Sequence, residues 1–167
     1  MTIGDRNRNL LIVGFGNPLM GDDGIGPAVA RHLSRLELPA SVACHELSDI
    51  LHLPAVWSDQ QEVWMVDAVI SGEPPGTIHR KAHGDVLSLT HRAATVHHLG
   101  LTEGLRWILH AHPEMARVRF NLWGVEPQTA SPIEALSEIV DKAVRCLVEE
   151  LSVAIHDRYD YSVATDL

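Results

Sequence analysis

The sequence predicts an α/β fold in which a mostly parallel sheet is covered by helices on both faces. Two continuous apolar runs, Leu10–Phe15 and Val63–Val66, are typical of strands buried on both sides. Strand-like and helix-like segments alternate with short connections, which indicates parallel strands joined by crossover helices. The 167 residues suit one domain, 1–167, with a sizeable core.

The first half of the chain contains three predicted strands and two predicted helices. The strands are short apolar runs, whereas the first helix carries apolar residues at intervals of three and four. Ile25, Val29 and Leu33 mark its buried face, and Pro39 closes the segment. The strands cover residues 10–15, 41–46 and 63–66, and the helices cover residues 23–36 and 49–57.

The second half begins with a Gly- and Pro-rich turn and ends with a long helix. Val118, Phe120 and Leu122 alternate with less apolar neighbours, which predicts a half-exposed strand near a sheet edge. Pro132 opens the long helix, and residues 81–95 show no clear pattern. The predicted segments are a turn at 72–76, a short strand at 77–80, a helix at 97–110, a strand at 118–124, a helix at 132–151, and loose termini at 1–9 and 157–167.

The charge balance is acidic. The formal net charge is −9 and the pI is about 5.6, which disfavours binding to the phosphate backbone of nucleic acids. Such a chain favours a basic partner or a metal cation. Cys44 and Cys146 lie far apart, so we expect no disulfide framework and no zinc finger, but two buried thiols in a reducing compartment.

The amino-terminal segment superficially resembles a signal peptide, because two arginines precede the apolar run Leu10–Phe15. That run stops after six residues, whereas a secretory segment needs about 7–15 apolar residues. No run approaches the ~20 apolar residues of a membrane span. We therefore expect a cytoplasmic protein with no membrane insertion.

Carboxylate and imidazole side chains are predicted to meet at the carboxyl edge of the sheet, where ligands bind in such folds. Asp22 and Asp23 follow the loop after the first strand, and Asp67 ends the third strand. His97 begins the helix that follows the unassigned segment. Two carboxylates and an imidazole suit a borderline divalent ion that keeps open positions for substrate or water.

These residues also have simpler interpretations. Asp22 or Asp23 alone is a common helix N-cap, worth ~1 kcal/mol, and one histidine among eleven is commonly a surface residue. Gly14-Phe-Gly16 suggests a dinucleotide-binding loop, but Leu19 replaces the third glycine of that fingerprint. Carboxylates in the next turn would also repel a pyrophosphate.

A receiver-like phosphoacceptor domain is the main functional alternative, with Asp67 as the acceptor and magnesium held by the acid pair. Such a domain needs a lysine at the end of its last strand, but that strand here ends Leu122-Trp-Gly-Val-Glu-Pro127. Its acid pair would also follow the strand directly, without an intervening Gly-Asn-Pro-Leu-Met-Gly loop. A non-catalytic metal- or nickel-binding module is a third alternative.

Four motifs resemble those of the [NiFe]-hydrogenase maturation proteases and occur in the family's order. They are LIVGFGNPLMGDDGIG at 11–26, Val66-Asp-Ala68, His97-His-Leu-Gly-Leu101 and Gly124-Val-Glu-Pro127. The first is specific, whereas the other three are short. Together they span about residues 10 to 130, and on them the chain is identified as a member of this family.

The resemblance implies a three-layer α/β/α sandwich around a roughly five-stranded sheet. It also implies an endopeptidase that removes the C-terminal extension of a hydrogenase large-subunit precursor after nickel insertion. The implied metal ligands and catalytic residues are Asp23, Asp67 and His97, with nickel supplied by the precursor rather than permanently bound. One departure is the segment Glu46–Leu51, which stands where the family usually has a Gly-rich segment.

The implied chemistry is peptide hydrolysis gated by the metal. Ligands from this chain would bring the scissile bond beside a polarised water, or a carboxylate would act as general base, as in an aspartyl protease. Asp22 would then orient a neighbour or cap the helix, and Asn17 would hold the loop or the substrate peptide. The substrate tail would add as a strand at a sheet edge beside Val118–Gly124.

Overall fold

The computed structural model describes residues 9–88, 94–95 and 100–159. The strands are β1 (Leu10–Phe15), β2 (Val42–Leu47), β3 (Glu62–Ile70), β4 (Ile78–Lys81), β5 (Ala94–Thr95) and β6 (Arg119–Val125). The helices are α1 (Ile25–Ser34), α2 (Leu53–Val56), α3 (His83–Ser88), α4 (Leu101–Ala111) and α5 (Glu138–Tyr159). Short 3₁₀ turns occupy Gly21–Gly24, Ile50–His52 and Pro113–Arg117.

The sheet has the strand order β2-β1-β3-β6-β4. Its first four strands are parallel, and β4 pairs with β6 in the antiparallel direction. The end of β3 pairs with β5, also antiparallel. The mostly parallel sheet predicted from the sequence is therefore confirmed.

Helices cover both faces of the sheet. The side chains of Trp64 and Val66 on β3 join the apolar cluster that contains residues of α1 and α5. The alternate residues Val63 and Met65 join a second cluster, together with residues of α2, α3 and α4. Because both faces are covered, every residue of β1 is buried, as the continuous apolar run predicts.

Strand β6 lies next to the edge strand β4, so the prediction of a strand near the sheet edge is confirmed. The alternation reflects unequal cover of the two faces: Phe120 and Leu122 are buried, whereas Asn121 and Trp123 are half-buried. The expectation that a substrate tail adds beside this strand is wrong for residues 122–125, because β3 and β4 already pair on their two sides. The short strand predicted at 77–80 is confirmed as β4.

The long helix begins six residues later than Pro132 predicts, at Glu138. The side chain of Asp22 accepts hydrogen bonds from the backbone N–H groups of Gln128, Thr129 and Ser137. These bonds hold residues 128–137 as a loop, although Ile133 and Leu136 continue the helical spacing. At its other end α5 runs to the buried Tyr159, which donates a hydrogen bond to Glu62, so residues 157–159 are not loose.

Three other boundaries differ from the sequence prediction. Strand β3 continues past Asp67 to Ile70, and helix α1 starts at Ile25 after the 3₁₀ turn that contains both acids. The predicted helix at 49–57 is a 3₁₀ turn followed by the one-turn helix α2. Residues 1–8 and 160–167 of the predicted loose termini, and the predicted helix start at His97, lie outside the described residues.

Candidate active site

Close backbone packing brings the 3₁₀ turn Gly21–Gly24 to the carboxyl edge of the sheet. A Cβ atom on Gly26 would lie 2.4 Å from the Phe15 nitrogen and 2.6 Å from the Val66 oxygen. Gly16 has φ +141°, and a Cβ atom there would lie 1.9 Å from the backbone carbonyl oxygen of Asp23. Only glycine permits these approaches, so the glycines of the first motif seat its acids against β1 and β3.

Asp23 is buried in this turn, and its carboxylate shapes the loop that precedes it. Its Oδ2 accepts a hydrogen bond of 2.9 Å from the backbone N–H of Asn17. The exposed Asn17 in turn accepts, through its Oδ1, a hydrogen bond of 3.0 Å from the Leu19 N–H. The amide nitrogen of Asn17 donates no hydrogen bond to any described residue, so it is available at the surface beside Asp23.

Asp22 is fully buried and has a different environment from its neighbour. Its Oδ2 accepts from the Gln128 N–H at 2.8 Å, the Thr129 N–H at 3.0 Å and the Ser137 hydroxyl at 2.9 Å. Its Oδ1 accepts from the Ser137 N–H at 2.7 Å. Asp22 is therefore not an N-cap of its own helix but the anchor of the loop that follows β6, a role that sequence spacing does not reveal.

Asp67 is fully buried on β3 at the edge of the parallel pairing. The β1–β3 ladder ends one residue before it, at Gly14 and Val66, and Gly124 of β6 lies opposite Asp67. Its Oδ1 accepts a hydrogen bond of 2.8 Å from the Ala68 N–H. By strand alternation its side chain points to the face covered by α4.

The turn that carries Asp23 contacts β3, so the structure brings two of the three predicted ligand-bearing segments together. His97, the third, lies outside the described residues. Its neighbours along the chain are described: β5 pairs Thr95 with Val69 and Ala94 with Ile70, and Leu101 is buried at the start of α4. Among the described residues no group of three or more His, Cys, Asp and Glu side chains is placed to hold a metal ion.

Glu126 lies directly after β6, at the edge of the candidate site, and its carboxylate is buried. The sequence does not predict its role. It accepts hydrogen bonds from the Ser71 N–H at 2.7 Å and from the Ser71 hydroxyl, and its Oε1 lies 3.1 Å from His79 Nε2. Burial raises the pKa of Glu126, but the bonds from Ser71 and His79 outweigh it, so the pKa lies below its usual value. The feature of the sequence that could have indicated this role is that Glu126 is an acidic residue of the fourth motif and follows the end of a strand.

None of the described helices is long and apolar enough to cross a membrane.

Comparison with known proteins assigns the chain to a family. The family model described as "HycI: Hydrogenase maturation protease" matches residues 47–153. The chain is 29% identical over 126 residues to protein FrxA of Pyrococcus furiosus, a match that covers 75% of this chain and 89% of FrxA.

Solved structures agree with this assignment. The hydrogenase 2 maturation peptidase of a Thaumarchaeota archaeon is 28% identical with a TM-score of 0.62, covering 87% of this chain and 97% of that one. The [NiFe] hydrogenase maturation protease HybD of Thermococcus kodakarensis has the same fold, with a TM-score of 0.74 and 22% identity over 88% of this chain and 99% of that one. The receiver-like alternative finds no support. The chain belongs to the hydrogenase maturation protease family and is a peptidase.

Proposed function

We propose that this protein is the endopeptidase that removes the C-terminal extension of a [NiFe]-hydrogenase large-subunit precursor after nickel insertion. Its site of action would be the cytoplasm, where the precursor is made. The observation that carries the proposal is the convergence of two buried carboxylates, Asp23 and Asp67, at one sheet edge. They are brought there by glycine-dependent contacts of the family's most specific motif.

In this proposal Asp23, Asp67 and His97 bind nickel that the precursor already holds. Carboxylate oxygens and imidazole nitrogen suit a borderline divalent ion, so the donor types fit. Strand β5 supports the inclusion of His97, because it runs from the position opposite Ile70 to that opposite Val69, towards Asp67, and ends two residues before His97. Nickel is then part of the substrate rather than a resident cofactor.

The proposed division of labour among the residues follows from their environments. Asp23 is positioned by the Asn17 N–H, and Asp67 by the rigid centre of the sheet. One of these carboxylates would orient the substrate through the metal, and one would accept the proton of the attacking water. Asn17 would donate its side-chain amide to a carbonyl of the substrate peptide.

The test is to incubate the protein with the large-subunit precursor of the same organism, with and without nickel, and to follow the precursor mass by mass spectrometry. We expect loss of the extension only from the nickel-loaded precursor. Each tenfold of discrimination requires ~1.4 kcal/mol, which one metal–ligand bond supplies. Equal cleavage of the apo-precursor would refute nickel gating, and no cleavage of either form would refute the proposed function.

Asp67→Asn is the matched variant for the same assay. It retains the side-chain shape and the Oδ1 acceptor for Ala68 but removes the anionic ligand. We expect a folded protein that binds the precursor without processing it. Full processing by a folded Asp67→Asn protein would exclude Asp67 from the chemistry.

A further inference from the structure

Exposed apolar side chains are concentrated around the carboxyl edge of the sheet. Eight large apolar side chains are exposed among the described residues, of which three, Leu36, Trp107 and Val153, lie away from this edge. The other five follow the carboxyl ends of β1, β2, β3 and β6 or begin α5. We call these five the apolar collar: Leu19, Leu51, Ile70, Ile133 and Ile139.

A backbone contact brings two members of the apolar collar together beside the turn that carries Asp23. The Gly21 N–H donates a hydrogen bond of 2.7 Å to the backbone oxygen of Ile133, which connects the loop that contains Leu19 to the loop after β6. Between these loops lies a cleft of about 310 Å³, lined by Leu19, Leu136 and Gly24, the residue after Asp23. Ile139 lies against Gly76, at the turn between β3 and β4.

Four described loops at the same edge are acidic. The segments 16–24, 48–52, 70–77 and 126–138 contain no Lys or Arg. They do contain the exposed Glu73 and Glu134 and the half-buried Asp49, none of which pairs with a Lys or Arg of the described chain. Two basic residues close to these loops are paired: Arg31, which lines the cleft, binds Glu46, and Lys142 binds Glu138.

Three arginines lie at the opposite end of the sheet, two of them paired with Asp59 and Glu62. Arg119 begins β6, Arg117 precedes it in a 3₁₀ turn, and Arg158 lies in the last turn of α5. The described loops therefore present an apolar and anionic surface around the turn that carries Asp23. A surface of one charge sign attracts partners of the opposite sign and speeds their encounter.

We infer that the apolar collar is the docking surface for the large-subunit precursor, and that it binds a precursor segment with apolar side chains flanked by Lys or Arg. The inference rests on the proposed function. Single exposed apolar residues are ordinary on protein surfaces, whereas five of the eight described ones at one edge of the sheet are a concentration typical of an interaction surface. The cleft, which is lined by Gly21 and Gly24 of the turn that carries Asp23, then seats part of the precursor chain.

The apolar part is tested by binding to the nickel-loaded precursor, with Asp67→Asn as the background so that no turnover occurs. Leu19→Asp and Ile133→Asp are each expected to raise Kd at least about tenfold. Val153→Asp is the matched control, because Val153 is 61% exposed and Ile133 58%, but Val153 lies far along α5. We expect the control to bind within about twofold of the background protein. Circular dichroism verifies that each variant is folded.

The charge part is tested by reversal. Glu73→Lys with Glu134→Lys is expected to weaken precursor binding at least about tenfold at low salt, whereas Glu149→Lys, an exposed acid of α5, leaves it unchanged. Binding by the unreversed protein should also weaken between about 0.05 and 0.3 M NaCl as the charges are screened. If neither the charge reversal nor the higher salt concentration weakens precursor binding, the inference that the docked segment is basic is wrong.

The possible outcomes separate the inference from the proposed function. If both collar variants bind like Val153→Asp while the wild-type protein cleaves the precursor, the collar inference is wrong and the proposed function stands. If the precursor binds through the collar but is not cleaved by the wild-type protein, the inference stands and the proposed function is wrong. Absence of both binding and cleavage refutes both.

Discussion

At the residue scale, the adjacent carboxylates Asp22 and Asp23 differ in what surrounds them. Asp22 accepts four hydrogen bonds from the loop after β6. Asp23 accepts a hydrogen bond from the Asn17 N–H of its own loop, and the next residue, Gly24, lines the cleft of the collar. Two identical side chains at consecutive positions thus have different surroundings, and of the two only Asp22 anchors the loop after β6.

Exchange of each acid for asparagine separates these roles. In Asp22→Asn the new NH₂ group faces backbone donors, so we expect unfolding free energy to fall by about 2–4 kcal/mol, since hydrogen bonds to a buried charge are lost. Asp23→Asn leaves the anchor of the loop after β6 intact, and we expect it to abolish precursor processing. Urea unfolding and the mass-spectrometric assay measure the two effects. The opposite pattern would mean that the acids have exchanged roles.

The cysteines are less uniform than their apolar neighbours suggest. Cys146 is exposed on α5, and Cys44 on β2 is half-buried, so the expectation of two buried thiols is wrong. Burial raises the pKa of Cys44 to about 11. A thiol with such a pKa is almost entirely protonated at neutral pH, so it is a poor nucleophile and metal ligand.

At the element scale, Glu126 connects β6 with the turn between β3 and β4. Its side chain binds Ser71 and His79, while its backbone nitrogen donates to Thr77 and its oxygen accepts from Gly76. The residue therefore fixes the antiparallel edge strand β4 and the direction in which β3 leaves the sheet beyond Asp67.

Glu126 predicts a pH dependence of stability with a definite sign. Because the pKa of Glu126 in the folded protein lies below its usual value, its ionised form is stabilised by folding. That contribution is fully present above the unfolded pKa of about 4.3 and is lost as pH falls through the lower folded value. We expect Glu126→Gln to be about 1–3 kcal/mol less stable at pH 7 and nearly equal to wild type at strongly acidic pH.

Urea unfolding at several pH values checks this prediction, with Glu149→Gln on the exposed surface of α5 as the control. A constant difference between wild type and Glu126→Gln at every pH would show that the loss comes from packing rather than from the charge.

The elements show where prediction from sequence succeeds and where it stops. Apolar runs and helical spacing are local signals, and they correctly indicate β1, β3, α1 and the parallel sheet. The start of α5 depends on a bond between Asp22 and Ser137, which are 115 residues apart, so no local pattern contains it. The edge position of β4 likewise depends on pairing chosen by the folded chain.

The candidate site follows the same rule. Asp23 and Asp67 were predictable because the ends of parallel strands share one edge of the sheet. The anchoring role of Asp22 and the hydrogen bonds of Glu126 to Ser71 could not be predicted, because both depend on partners that are distant in sequence. The catalytic and metal-binding roles of Asp23, Asp67 and His97 stay predictions.

At the scale of the whole molecule, one sheet separates two apolar layers that have different helices. Leu147 of α5 and Leu105 of α4 are fully buried in opposite layers. Since both layers pack on the same strands, we expect the molecule to unfold in a single cooperative transition.

Leu147→Ala and Leu105→Ala test this cooperation. Each should lower the unfolding free energy by about 2–5 kcal/mol, the range for a deleted buried leucine side chain. Urea transitions followed by tryptophan fluorescence and by far-UV circular dichroism should coincide for both variants. A biphasic transition in either variant would show that the two layers unfold separately.

The position of β3 has a consequence for how the site fluctuates. Its amides lie between two parallel neighbours up to Val66, so their hydrogen exchange requires opening of the sheet centre and is slow. The turn with Asp23 is held differently, by bonds from the loop after β6 to Asp22 and from the Gly21 N–H to the Ile133 oxygen. Hydrogen exchange in this turn should therefore follow the opening of that loop, whereas exchange up to Val66 should follow the opening of the whole sheet.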